Sequence, residues 1–236
     1  MLSSISSLLL VLAAFASNVE AAATAKEVNK GTTLTSWDCC KPACAWSSIL
    51  QKSKATGSIK VCNKKDQALS TSQSASVQSS CNKTPGDGYL CSDYSPKPVA
   101  QDLSYGFAIT DGAENCCKCF ELMWTDGYSA GKRMQVQIIN EGGNTDNGRQ
   151  FILLTPGGGV GPNSGGCNSQ FGDAWGRQYG GVSKMEDCEK LPDSLQGGCY
   201  WRWNWASGEV NGWNVTWSQI TCPDRLTSIS GCQNNS

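Results

Sequence analysis

Strand-like patches recur along this chain, at residues 105–109, 119–124, 134–139, 151–154 and 200–205, and in several of them apolar and polar residues alternate with a period of two. That period sends successive side chains to opposite faces of an extended backbone. The patches therefore read as half-buried β-strands, with bordering Gly, Asn and Asp supplying the turns. Strongly helical stretches are few, and residues 47–54 and 184–191 are the better candidates. Short strands in a chain with 26 glycines among 236 residues favour an all-β barrel with long loops and a few short helices over a layered α/β fold. In the last patch Trp201, Trp203 and Trp205 occupy alternate positions, so on a strand they share one face and either fill the core or line a groove.

Three features change this picture of a bare barrel. An apolar run from Ile5 to Ala16, followed by small residues, reads as a secretory signal peptide over residues 1–21, with cleavage as late as residue 23 as the other option. Residues 22–236 contain no Pro/Thr/Ser-rich tether, so a single domain without a separate carbohydrate-binding module is expected. The Ser/Gln-rich residues 66–80, between Cys62 and Cys81, read as a solvent-facing excursion. No later stretch approaches the ~20 apolar residues that span a bilayer, so the mature chain is expected to be soluble and off the membrane. The 14 cysteines, an even number, point to an oxidising compartment and a disulfide-stapled, secreted, extracellular protein.

A net charge of −1 gives no basic footprint for nucleic acid or anionic lipid. The absence of histidine excludes Ser-His-Asp and Cys-His catalysis and leaves carboxylates as the main candidates for acid–base work. Zinc held by cysteines alone needs reduced thiols, which secretion disfavours, and no metal or cofactor is expected. The run from Pro156 to Gly161 lacks the Lys-Ser/Thr of a phosphate loop and reads as a tight loop whose backbone approaches other chain or ligand closely. The most telling segment is Trp37-Asp38-Cys39-Cys40-Lys41-Pro42-Ala43-Cys44. Cross-linked cysteines hold a neighbouring side chain tightly, so Asp38 is either a fixed acid–base group or the cap of a stapled turn.

That segment, together with Cys116-Cys117-Lys118-Cys119-Phe120-Glu121-Leu122, the Pro156–Gly161 loop and Gly198-Cys199-Tyr200-Trp201-Arg202-Trp203, resembles glycoside hydrolase family 45. The segments at 130–134, 170–172 and 177–181 are similar to the same family, and the likeness runs from about Trp37 to Cys232. The resemblance implies a six-stranded double-psi β-barrel with an open groove for β-1,4-glucan, and inverting endoglucanase chemistry on cellulose, xyloglucan or mixed-linkage glucan. It also implies the pairs Cys39–Cys167, Cys40–Cys81, Cys44–Cys116, Cys62–Cys91, Cys117–Cys232, Cys119–Cys222 and Cys188–Cys199. Trp37, Gly157, Gly158, Gly159 and Trp201 are expected to contact the glucan, and the protein to act as a monomer.

An inverting glycosidase pairs a base that activates water with an acid that protonates the leaving oxygen. Asp38 matches the family's base. The acid belongs in a His-Phe-Asp stretch before the Gly-rich loop, and here Gln150-Phe151-Ile152 stands there, so Ile152 takes the acid's place. Asn144 replaces a frequent third Asp, and Ser36 replaces a Tyr two residues before the base. The sequence thus predicts a secreted β-1,4-glucan-binding protein of the endoglucanase lineage whose hydrolysis is weak or absent. The alternative is an active enzyme with a relocated acid, Asp146 first and Glu141 behind it. A third reading is wall loosening like that of expansins, which share the barrel but keep the Asp lost here and lack the base. Of three sequons, Asn214 is the best glycosylation candidate.

Overall fold

The computed structural model describes residues 28–143, 148–234 and 236, so the expected signal segment 1–21, Asn144 and Asp146 lie outside the described residues. The strands are β1 (Asn29–Ser36), β2 (Thr56–Gly57), β3 (Lys97–Pro98), β4 (Leu103–Thr110), β5 (Cys119–Trp124), β6 (Arg133–Glu141), β7 (Arg149–Leu154), β8 (Trp213–Ile220) and β9 (Cys232–Gln233). Six of them close a barrel in the order β4-β6-β5-β8-β1-β7, with β7 pairing back onto β4. The pairs β1–β7 and β4–β6 are parallel and the rest antiparallel. This is the all-β barrel that the strand pattern predicts, closed by six strands as the family resemblance implies.

Four of the five patches are barrel strands, and their alternation sorts side chains as a strand must. Phe120, Leu122 and Trp124 of β5 are buried, while Glu121 and Met123 turn outward. On β7, Phe151 and Leu153 point into the barrel, so Gln150 and Ile152 necessarily face the other way and stay half-buried. β1 gives no such apolar signal because its inward positions are Thr33 and Thr35. Their hydroxyls donate to the carbonyls of Val210 at 2.7 Å and Gly158 at 3.3 Å, and Trp124 Nε1 donates to Thr33 Oγ1 at 3.0 Å. Buried hydroxyls satisfied in this way can occupy a core without the cost of bare polar burial.

Among the described residues the α-helices are α1 (Ser47–Leu50), α2 (Thr71–Ser76), α3 (Gly165–Phe171), α4 (Asp193–Asn204) and α5 (Asp224–Ser230). The helix expected over 47–54 is thus α1 with a trailing turn, and that over 184–191 is a 3-10 helix, Met185–Lys190. The Ser-rich excursion contains α2, started by a capping box between Ser70 and Gln73.

The strand expected at 200–205 is corrected: most of it is the last turn of α4, which begins after Pro192 with Asp193 in its first turn. A spacing of four residues shares a face on a helix as well as on a strand. Trp201 and Trp205 accordingly stack with ring centroids 5.5 Å apart, and Trp201 Nε1 donates to Ser104 Oγ at 2.8 Å. Trp203 departs from them and lies against the Arg202 guanidinium. Trp201 is only 2 % exposed, a core residue rather than a glucan platform.

The seven disulfides join Cys39–Cys167, Cys40–Cys81, Cys44–Cys116, Cys62–Cys91, Cys117–Cys232, Cys119–Cys222 and Cys188–Cys199, the pairs that the family resemblance implies. Three of them anchor residues 39–44, immediately after β1, to distant parts of the chain.

Candidate active site

β1 ends at Ser36, and the next two residues are fixed by their neighbours rather than by the sheet. Trp37 N–H donates to the Gly159 carbonyl at 2.6 Å, and Thr155 N–H donates to the Ser36 carbonyl at 2.9 Å. Cys39 then adopts a left-handed φ of 60°, an uncommon state for a residue with a Cβ, and its bond to Cys167 holds that turn. Asp38 is aimed by this geometry. One carboxylate oxygen accepts the Cys40 N–H at 2.9 Å and the other accepts Asn163 Nδ2 at 3.2 Å. The side chain is largely buried, and burial raises its pKa above the ordinary carboxylate value, opposed by the hydrogen bonds from Cys40 and Asn163. A raised pKa makes Asp38 a stronger proton acceptor once it is ionised.

The Gly-rich loop acts through its backbone. Gly159 has φ +93°, and a Cβ there would sit 2.6 Å from the Gln178 carbonyl oxygen. The close approach permits a reciprocal pair of bonds between the two segments: Gly161 N–H to the Gln178 carbonyl at 2.9 Å and Gln178 Nε2 to the Gly161 carbonyl at 2.8 Å. Arg202, wholly buried, donates from Nη1 to the Gly157 carbonyl at 2.9 Å. Gly157, Gly158 and Gly159 are buried, as is Trp37 at 2 % exposure. These four, expected to touch glucan, do not line the cleft over Asp38; the Gly159 carbonyl instead holds Trp37, the residue before Asp38.

A cleft of about 310 Å³ opens over Asp38. Leu34 and Ser36 of β1, Ile109 of β4, Asn140 and Glu141 of β6, and Gln150 and Ile152 of β7 line it, with Asn163, Gln178 and Tyr179 at its other side. Ser36, remote in sequence from Gln150 and Ile152, thereby meets them around Asp38, and these are three of the positions where the family resemblance leads one to expect other residues. Ile152 pairs in register with Leu34 on β1 and with Ile109 on β4. Among the described residues Glu141, exposed at the end of β6, is the one other carboxylate on the cleft wall. A larger, shallower hollow between α1 and α2 is lined by Ser, Thr, Ala, Gly, Leu and Gln and offers no acid–base group.

Asn163 and Arg202 escaped the reading of the sequence as site residues. For Asn163 a signal existed, since it follows the Gly-rich loop by two residues; for Arg202 none did, because its role depends on where α4 packs.

A closed, disulfide-stapled barrel with a buried carboxylate at the floor of an open cleft places the chain in the endoglucanase lineage, as its relatives show. The model of glycosyl hydrolase family 45 matches residues 30–233. The chain is 37% identical over 210 residues to an endoglucanase of Cryptopygus antarcticus, covering 86% of this chain and 88% of that protein. It is 39% identical over 212 residues to an endoglucanase of Phaedon cochleariae, covering 86% and 83%. A putative endoglucanase type K of Fusarium oxysporum is 40% identical over 203 residues, and the chain spans 84% of itself but only 51% of that relative. The crystal structure of the cellulase from the Antarctic springtail Cryptopygus antarcticus superposes with a TM-score of 0.79 at 34% identity, over 88% of this chain and 98% of the other. The chain belongs to glycosyl hydrolase family 45.

Proposed function

We propose that this is a secreted β-1,4-glucan-binding protein whose cleft holds cellulose or xyloglucan chains and hydrolyses them weakly or not at all. The observation that carries the reading is Ile152 on the wall of the cleft that holds Asp38. An alkyl side chain donates no proton at any pH, and general acid catalysis contributes ~10²–10⁴-fold, equivalent to roughly 3–5.5 kcal/mol of barrier. Asp38 keeps what a base needs, a fixed direction and an acceptor atom facing the cleft.

The test sets the wild type beside Ile152→Asp on soluble cellulose derivatives and xyloglucan. Wild type is expected to be retained on cellulose while releasing little reducing sugar, and Ile152→Asp to gain ~10²-fold or more in hydrolysis, dependent on Asp38. Robust endo-cleavage by rigorously purified wild type rejects the reading. The second reading, an active enzyme with a relocated acid, has Glu141 on the same cleft wall in its favour. It requires Glu141→Gln or Asp146→Asn to abolish an activity that the wild type possesses. Extracellular residence is supported by the seven disulfides and is tested by sequencing the N-terminus of the protein recovered from medium.

A further inference from the structure

The cleft is asymmetric in chemistry. Leu34, Ile152 and Ile109 lie in register across three adjacent strands, β1, β7 and β4, and all three line the cleft. Their side chains make a continuous aliphatic strip where a leaving group's proton donor would otherwise stand. Tyr179, 68 % exposed, adds an aromatic ring to the same cleft. Against this apolar side stands Asp38, whose two oxygens each accept one hydrogen bond, from Cys40 N–H and Asn163 Nδ2. A carboxylate has about four acceptor positions, so capacity remains for a water molecule.

We propose that the cleft hydrolyses β-1,4-gluco-oligosaccharides glycosidically linked to an acidic phenol, with Asp38 as the base and no acid acting on the leaving group; this rests on the reading of Ile152 as the vacated acid position. A sugar alkoxide is a strong base and cannot leave without a proton. An acidic phenol leaves as its phenolate, needs none, and buries its ring on the aliphatic strip. In the step, Asp38 takes a proton from water as the water oxygen bonds to the anomeric carbon from the face opposite the aglycone. The carbon–phenoxy bond breaks with both electrons on the phenolate oxygen, and Asp38 then returns its proton to solvent. The hemiacetal product forms with inverted configuration.

The test measures initial rates of the purified full chain on a series of aryl β-cellotriosides, from dinitrophenyl to unsubstituted phenyl, with product anomers followed by proton NMR. For wild type the rate is expected to fall steeply along the series, by ~10²-fold or more, because no acid compensates for a poor leaving group. The first-formed sugar is expected to be the α-anomer, and Asp38→Asn, still retained on cellulose, to lose the dinitrophenyl activity. Ile152→Asp is expected to flatten the series, although the wild-type series alone decides the question if that variant does not fold. Absence of dinitrophenyl turnover by protein that is retained on cellulose overturns this inference and leaves glucan binding standing. A flat series accompanied by rapid cleavage of cello-oligosaccharides reveals a working acid and overturns both. A β-configured first product rules out Asp38 as the base.

Discussion

At the scale of single residues, the cleft is governed by one buried carboxylate and one alkyl group facing the same space. Burial raises the Asp38 pKa, and the sign of its effect on stability follows: the folded state holds the proton more tightly than the unfolded chain does. The contribution of Asp38 is therefore most favourable below the ordinary pKa of 3.8 and is lost as pH rises through the higher folded value. Asp38→Asn is expected to raise the melting temperature at pH 7 and to leave it nearly unchanged at pH 3, while abolishing any hydrolysis. Calorimetric scans of the two proteins at both pH values check this, and a lower melting temperature at pH 7 contradicts it. Such a trade, a group unfavourable to folding kept for chemistry, is common at catalytic positions. Asp38 stood out in the sequence through its cysteines, as either an acid–base group or the cap of a stapled turn, and the structure buries it beneath the cleft. Its donor Asn163 carried only the signal of following the Gly-rich loop by two residues, and the 125 positions between it and Asp38 are bridged by the fold.

At the scale of elements, period-two alternation identified four barrel strands because each has an apolar interior face. It missed β1, where threonines satisfied by backbone carbonyls replace that face. It misread α4, because indoles spaced by four residues satisfy a helix as well as a strand. The two outcomes have different consequences for mutation. Trp201→Ala is expected to destabilise by about 3–5 kcal/mol, the cost of a truncated core aromatic, with loss of cellulose binding only in proportion to unfolding. Urea titration alongside a cellulose pull-down separates the two effects, and selective loss of binding at full stability contradicts the core assignment. Gly159→Ala is the converse case. A methyl placed 2.6 Å from the Gln178 carbonyl, at a positive φ, has to displace the segment whose backbone holds Trp37 and Asp38. Glucan hydrolysis in an Ile152→Asp background is expected to fall ~10-fold or more with this change, beyond any fall in folded fraction.

At the scale of the whole molecule, the cross-links convert a barrel with long excursions into a fixed frame for one turn. The Cys39–Cys167 bond closes a separation of 128 residues next to Asp38, so the paired change to serine is expected to cost about 2–5 kcal/mol. It is also expected to relax the left-handed turn at Cys39, weakening any Asp38-dependent activity more than the loss of stability explains. The sequence by itself determined the β-rich class, the oxidising chemistry of the cysteines, the exclusion of histidine catalysis, and the presence of Gln150 and Ile152 just before the Gly-rich loop. These follow from local period and residue type, which need no knowledge of distant neighbours. Only the tertiary structure decided that Gln150 and Ile152 share one strand face on the wall of the cleft over Asp38, that Ile152 joins Leu34 and Ile109 in an aliphatic strip, and that Trp37, Trp201 and the glycines are buried. Those facts depend on barrel closure and on parallel pairing of strands remote in sequence, where register is set by global packing rather than by any short run of residues.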